Sequence, residues 1–252
     1  MEGSEFYNWF MIIMIIIAIF VYIVLHFVSA GYGIFNTKNW GYMINNKLGW
    51  FLMEAVSFVG MPLLYLFSGN RELIPTVGLL LFEIHYFRRS IIFPLRMPTT
   101  TQMPIIIAIF ATTFNVCNCY LQAGWLFFYH PENYYDNWLS KPYAWIGCSI
   151  FFAGMIINIH SDEVIRGLRK PGEKTHKLPS GGLFKYVTAA HYFGELVEWF
   201  GYAIFTLSPG ALVFFIWTFA NLVPRAKSVH KRYRETFKDQ VGDRKIIVPF
   251  IY

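Results

Sequence analysis

The chain has 252 residues, is 56% hydrophobic and 20% aromatic, and carries a formal charge of +6. Only 14% of it is charged, roughly half the share of an average soluble domain. That balance argues against a soluble enzyme or a nucleic-acid-binding domain. It points instead to an all-α integral membrane protein made of one domain over residues 1–252.

In chain order, the first span is the plainest. No Asp, Glu, Lys or Arg lies between Glu5 and Lys38, and Trp9 to Ala30 is almost wholly apolar. About 20 such residues in a helix cross the hydrocarbon core. The run is too long, and its flank too acidic, for a cleaved signal peptide. Six further segments qualify, near 47–67, 73–93, 104–128, 142–160, 187–207 and 211–225. The 187–207 segment carries acids and the 211–225 segment is short, so six spans is the competing count to seven.

Charge asymmetry orients the bundle. With seven transmembrane helices and a non-cytoplasmic amino terminus, the cytoplasmic pieces are 30–46, 88–103, 161–186 and the tail 225–252. Counting Lys47 at their border, they hold nineteen of the twenty-one basic residues, and only Arg71 and Lys141 fall on the other side. This is the pattern of the positive-inside rule, so the carboxyl terminus is expected to be cytoplasmic. The basic surplus is read as a topology signal beside anionic lipid, not as a nucleic-acid surface. Cys117, Cys119 and Cys148 fall inside predicted helices and read as small buried hydrophobes. Neither they nor the seven histidines show metal-ligand spacing, so no metal is expected.

Four acids lie within predicted spans: Glu54, Glu83, Glu195 and Glu198, with no Lys or Arg deep in a helix to pair with them. A carboxyl group kept from water favours its neutral form, so at least one of them is expected to be a hydrogen-bond donor at neutral pH. Glu54, in Trp50-Phe51-Leu52-Met53-Glu54, reads either as a donor in a pocket or as an acid at the membrane border. Glu83 and Tyr86 share a helix face. Tyr86 reads as an interfacial anchor or a site hydroxyl, and Glu83 as structural. Asn115 and Asn118 read as hydrogen bonds between helices.

The densest pattern begins at Asn158. Asn158, Asp162 and Arg166 recur every four residues, and Asn158, Asp162, Ile165 and Arg169 trace a drifting stripe along a helix leaving the membrane. Amide and acid suit ribose or carboxamide groups, and guanidinium suits phosphate. A salt-bridged helix extension is the plainer reading. Pro171-Gly172 is expected to end that helix. His191, Glu195 and Glu198 follow at helical spacing as a polar seam, while Gly181-Gly182 is a weak phosphate signal. There is no Rossmann or Walker pattern.

These motifs closely resemble the steroid 5α-reductase family, within the membrane reductases that include polyprenol and enoyl-CoA reductases. The resemblance runs from about Trp50 to Tyr252 and is carried by Asn158-Ile-His-Ser-Asp162, Leu168-Arg-Lys-Pro-Gly-Glu173, Gly181-Gly-Leu-Phe184, Gly194-Glu195 with Glu198-Trp199, and Pro249-Phe-Ile-Tyr252. It implies NADPH held in a seven-helix bundle from the cytoplasmic side, and reduction of a Δ4-3-keto steroid. Glu54 and Tyr86 would then hydrogen-bond the substrate ketone. Asn158, Asp162, Arg169, Glu195, Arg225 and Tyr233 match cofactor-contacting positions, and Arg89 and Arg96 fall in a phosphate-contacting loop. Two residues depart from the family's pattern: Met53 stands where Gln is common, and His191 where Asn is expected.

The expected partners are a steroid or related lipid and membrane lipid, with a monomer as the working unit. The expected location is the endoplasmic reticulum membrane in a eukaryote or the inner membrane in a bacterium. The competing readings are a reductase of another lipid enone, a membrane lipid methyltransferase of the isoprenylcysteine type, and a proton-coupled lipid carrier.

Overall fold

The computed structural model describes residues 2–97, 101–168 and 177–252. Seven long helices dominate them: α1 (Glu2–Phe27), α2 (Asn46–Ser68), α3 (Leu73–Phe87), α4 (Ile105–Ala123), α5 (Pro142–Gly167), α6 (Ala190–Thr206) and α7 (Pro209–Phe237). The protein is a predominantly helical membrane protein. Four of the helices, over Gly3–Phe27, Asn46–Ser68, Ile105–Tyr129 and Pro142–Gly167, are long and apolar enough to cross a membrane by length and composition alone. The other three fall short for visible reasons. The 15 residues of α3 run straight into Arg88 and Arg89. The 17 residues of α6 carry His191, Glu195 and Glu198, and the second half of α7 is basic.

Local chemistry sets the boundaries. The Asn45 side chain accepts hydrogen bonds from the backbone N–H groups of Lys47 and Leu48, capping α2. Ser208 caps α7 in the same way through Ala211 N–H, with Pro209 in the first turn. Two helices loosen into π turns, α3 over Arg88–Ile92 and α4 over Gly124–Tyr129. Such turns concentrate at functional sites. α5 continues past the membrane edge at 160 to Gly167, as the Asn158 stripe implies. Two elements differ from the expected plan: α7 continues to Phe237, and a short antiparallel ribbon interrupts the all-α bundle. That ribbon pairs β1 (Met43–Asn45) with β2 (Gln102–Pro104), Ile44 opposite Met103, and ties the segment after α1 to the segment before α4. The expected stop at Pro171-Gly172 lies outside the described residues.

α5 and α6 pack most extensively, with α2 against α4, α1 against α7, and α3 between α2 and α6. Gly147 and Gly154 on α5 face Gly201 and Gly194 on α6. A Cβ at Gly154 would stand 2.6 Å from the Gly194 carbonyl oxygen, and one at Gly201 2.7 Å from the Gly147 carbonyl oxygen. Small residues at such a contact let two backbones approach, the usual packing currency inside a membrane. Gly154→Val is therefore expected to lower stability by about 1–3 kcal/mol. A detergent-phase melting temperature equal to that of the parent protein would refute this.

The core above this contact is aromatic: Phe82, Phe151, Trp199 and Tyr202 are all fully buried. α1 instead presents Phe6, Trp9, Ile16 and Phe20 outward, as a lipid-facing helix does. The closing residues fold back on themselves, with Tyr252 O accepting from Ile247 N–H at 2.8 Å and Val248 N–H at 2.7 Å. Lys245 bridges Val187 just before α6, and Ile247 is buried against Ala189, Leu196 and Val223.

Candidate active site

Two groups of polar side chains are buried in the bundle. The first joins α2, α3 and α4. Glu54 stands just over two turns into α2, and Tyr86 is at the last turn of α3. Asn115 of α4 lies between them. Its Nδ2 donates to the Met53 carbonyl at 2.6 Å and to Glu54 Oε2 at 3.3 Å. The Tyr86 hydroxyl donates to Asn115 Oδ1 over a long 3.5 Å and accepts from Asn118 Nδ2 at 3.2 Å. Phe82, at 4.4 Å between ring centroids, and Trp199, at 6.0 Å, wall Tyr86 on its apolar side.

The second group forms around the π turn that follows Tyr86. The extra residue in that turn narrows the angle between consecutive side chains, so Arg88 and Arg89 both reach toward α5 and α6. Arg88 donates through Nη1 to Asp162 Oδ2 at 3.0 Å and through Nη2 to Asn158 Oδ1. Asn158 in turn donates to the His191 carbonyl at 2.8 Å. Arg89 lies 3.9 Å from Asp162 and 4.0 Å from Glu195, its guanidinium 4.7 Å from the Trp50 ring and 4.8 Å from the Phe93 ring. The two groups adjoin, since the Arg89 guanidinium rests against Trp50, one turn before Glu54 on α2.

Several expectations need correction. A basic residue does reach one of the four intramembrane acids, Arg89 at 4.0 Å from Glu195. Arg88 is badly placed for a partner on its own helix and finds Asp162 on α5 instead. Glu195 and Glu198 do not act as one seam, because Glu195 faces Arg89 while Glu198 Oε1 lies 2.8 Å from His85 Nδ1. Arg166 leaves the Asn158 stripe and pairs with Glu163, as does Arg96, and both arginines are about half exposed. Ile165 turns to pack with Phe184. Gly182 abuts the His160 ring and opens the turn Gly182–Lys185, a packing role.

Arg225 is buried apart from the Arg88 group. It donates to Tyr192 at 2.7 Å, to the Tyr32 carbonyl at 3.0 Å and to the Ala30 carbonyl at 3.3 Å, clasping the segment after α1 onto α6. Tyr233 sits two turns further along α7, with its ring 5.8 Å from that of Phe237. Arg169 lies outside the described residues. The residues missed from sequence are Arg88 and His85; Asn115 and Asn118 do bond across helices as expected, with partners that the sequence does not name. The available signal was an amide stripe at 115, 118 and 122 on one face of α4.

Fold and site together define a class: a helical membrane protein that sets a half-buried acid and a buried phenol against one amide, beside a compact cluster of opposite charges. Comparison with known proteins resolves the class further. A family model described as 3-oxo-5-alpha-steroid 4-dehydrogenase matches residues 101–252. The steroid 5-alpha-reductase DET2 of Gossypium hirsutum is 40% identical over 266 aligned positions, covering 100% of this chain and 99% of its own length. The 3-oxo-5-alpha-steroid 4-dehydrogenase 1 of Bos taurus is 39% identical over 238 positions, 91% of each chain. The Homo sapiens protein of that name is 44% identical over 174 positions, 69% of this chain and 66% of its own. The chain belongs to the 3-oxo-5-alpha-steroid 4-dehydrogenase family and is an oxidoreductase acting on CH–CH groups. The resemblance read from its motifs is borne out. The family model begins after Glu54 and Tyr86, whereas the full-length match to the Gossypium hirsutum protein includes them.

Proposed function

We propose that the protein uses NADPH to reduce the Δ4 double bond of 3-keto steroids to 5α-dihydro products, from within a bundle of seven spans whose carboxyl terminus is cytoplasmic. The observation that carries this reading is the convergence of Glu54 and Tyr86, from different helices, on the single side chain of Asn115. Two hydrogen-bond donors aimed at one point suit a ketone oxygen on which negative charge develops. The names of the full-length relatives supply the substrate class.

A nicotinamide dinucleotide fits the second group chemically. Guanidinium groups suit phosphate, while the Asn158 amide and the carboxylates of Asp162 and Glu195 suit ribose and carboxamide. Two buried atoms at this group, Arg88 Nε and His191 Nδ1, have no hydrogen-bond partner among the described residues, and a buried polar atom of that kind is capacity for a ligand. Hydride delivered to the enone β-carbon is the chemistry that bound NADPH supplies. The chain's own part is electrostatic. Neutral Glu54 and the Tyr86 hydroxyl hold their protons toward the ketone oxygen and stabilise the enolate as the electron pair moves onto it; the α-carbon then takes one proton from water and the enolate closes to the saturated ketone. Donors preorganised in a dry site are worth about 3–4 kcal/mol each. The aromatic wall of Phe82 and Trp199 keeps water away from Tyr86.

The test is purified protein with NADPH and testosterone or progesterone, the product identified by mass and stereochemistry. A saturated 3-ketone of 5α configuration is expected. NADPH consumption with an acyl-CoA enone and none with either steroid would overturn the substrate class.

A further inference from the structure

We infer that Asn115 and Asn118 are positioning residues that aim the protons of Glu54 and Tyr86 at one carbonyl oxygen. The inference rests on the role proposed above for that pair. Both asparagines are buried, at 4% and 0% exposure, and lie one turn apart on the same face of α4. Their hydrogen bonds form a directed chain. Gln122 Nε2 donates to Asn118 Oδ1 at 3.1 Å, Asn118 donates to the Tyr86 oxygen, Tyr86 donates to Asn115 Oδ1, and Asn115 donates to Glu54 Oε2.

The direction matters chemically. In a neutral carboxyl group one oxygen carries the proton and the other accepts. The Asn115 N–H occupies Oε2 as an acceptor, which assigns the proton of neutral Glu54 to Oε1, the oxygen left free to donate. Asn118 fills a lone pair of the Tyr86 oxygen, which strengthens the hydroxyl as a donor because chained hydrogen bonds polarise one another. The proton of that hydroxyl currently rests on Asn115 Oδ1 at 3.5 Å, the outer limit of a hydrogen bond. A ketone oxygen at ordinary distance replaces so weak an acceptor. For Asn115, gluing α4 to α2 would need only the bond to the Met53 carbonyl. The additional bonds to Glu54 and Tyr86 are what glue does not require. Asn115 also offers support to Glu54 from across the bundle, where Met53 has no polar group to give.

The experiment compares Asn115→Leu, Asn118→Leu and Glu54→Gln, each purified in detergent. It measures kcat and steroid KM separately, together with NADPH affinity and melting temperature. Both Leu variants are expected to lose about tenfold in kcat, the value of one ordinary hydrogen bond, with KM and NADPH affinity within about threefold of the parent. Asn115→Thr covers the case of an unfolded Leu variant. It keeps a small polar group at the position but ends one bond short of both the Met53 carbonyl and Glu54, and the same kcat loss is expected. A kcat within twofold of the parent in the folded asparagine variants, with any defect confined to melting temperature, overturns the positioning role. If Glu54→Gln has lost its turnover in the same series, the proposed function survives that outcome. If Glu54→Gln also turns over normally, the donor pair itself is wrong.

Discussion

Glu54→Gln is expected to reduce turnover about 10²-fold, at the lower end of what loss of one preorganised oxyanion donor costs, while NADPH affinity stays within about twofold. Gln keeps the shape of Glu and can still accept from Asn115 through its carbonyl oxygen. What it presents to the ketone is then an amide N–H, a weaker donor than a neutral carboxyl O–H. The loss belongs to the charged transition state more than to the bound ketone, so it should fall on kcat and spare KM. Tyr86→Phe removes the second donor without altering the ring packing on Phe82 and Trp199, and should give a loss of similar size. The double variant is expected to lose less than the product of the two, because the donors share one oxygen and one bridging amide. Rapid mixing with the change in NADPH absorbance measures the chemical step, and fluorescence titration measures the affinity. Retention of more than a third of the parent rate by Glu54→Gln would rule it out as the main donor.

How far this site could be read in advance depended on whether its signal was local. The apolar run from Trp9 to Ala30 and the stripe from Asn158 to Asp162 are properties of single helices. Length and a 3.6-residue period reveal such features directly, and both stand in the structure. Arg88 shows the opposite case. Its partners lie 70 and 74 positions away, on Asn158 and Asp162, and its reach depends on a π turn that periodicity does not announce. Arg225 was visible as a basic residue near the end of an apolar run, but its partners Ala30 and Tyr32 belong to the first connection, nearly two hundred positions earlier. The glycines carried a signal that went unused. Gly147 and Gly154 are seven apart, as are Gly194 and Gly201, and two matched small-residue ridges of that kind are a packing instruction. Asn115 and Asn118 were legible as cross-helix groups. Which helices they would meet was a matter of tertiary arrangement.

That same arrangement gives Arg88 a double burden, and separating its two parts is the second large effect. Arg88→Leu removes the cation that faces Asp162 and holds Asn158. It leaves a carboxylate that is 13% exposed, with Arg89 at 3.9 Å as its nearest remaining cation. Deleting one partner of a buried ion pair costs about 3–5 kcal/mol, mostly through the charge left behind, whereas replacing both partners by apolar groups is often neutral. The double variant Arg88→Leu/Asp162→Leu should therefore regain most of the melting temperature lost by the single one. NADPH affinity should behave differently, falling at least tenfold in both variants, because the guanidinium and the carboxylate are needed as ligand groups whether or not the fold tolerates their absence. Stability restored without binding in the double variant would separate the lock on the helices from the grip on the cofactor. A double variant as unstable as Arg88→Leu alone would show that the pair holds α3 to α5 through its charges, and not merely through the space it fills.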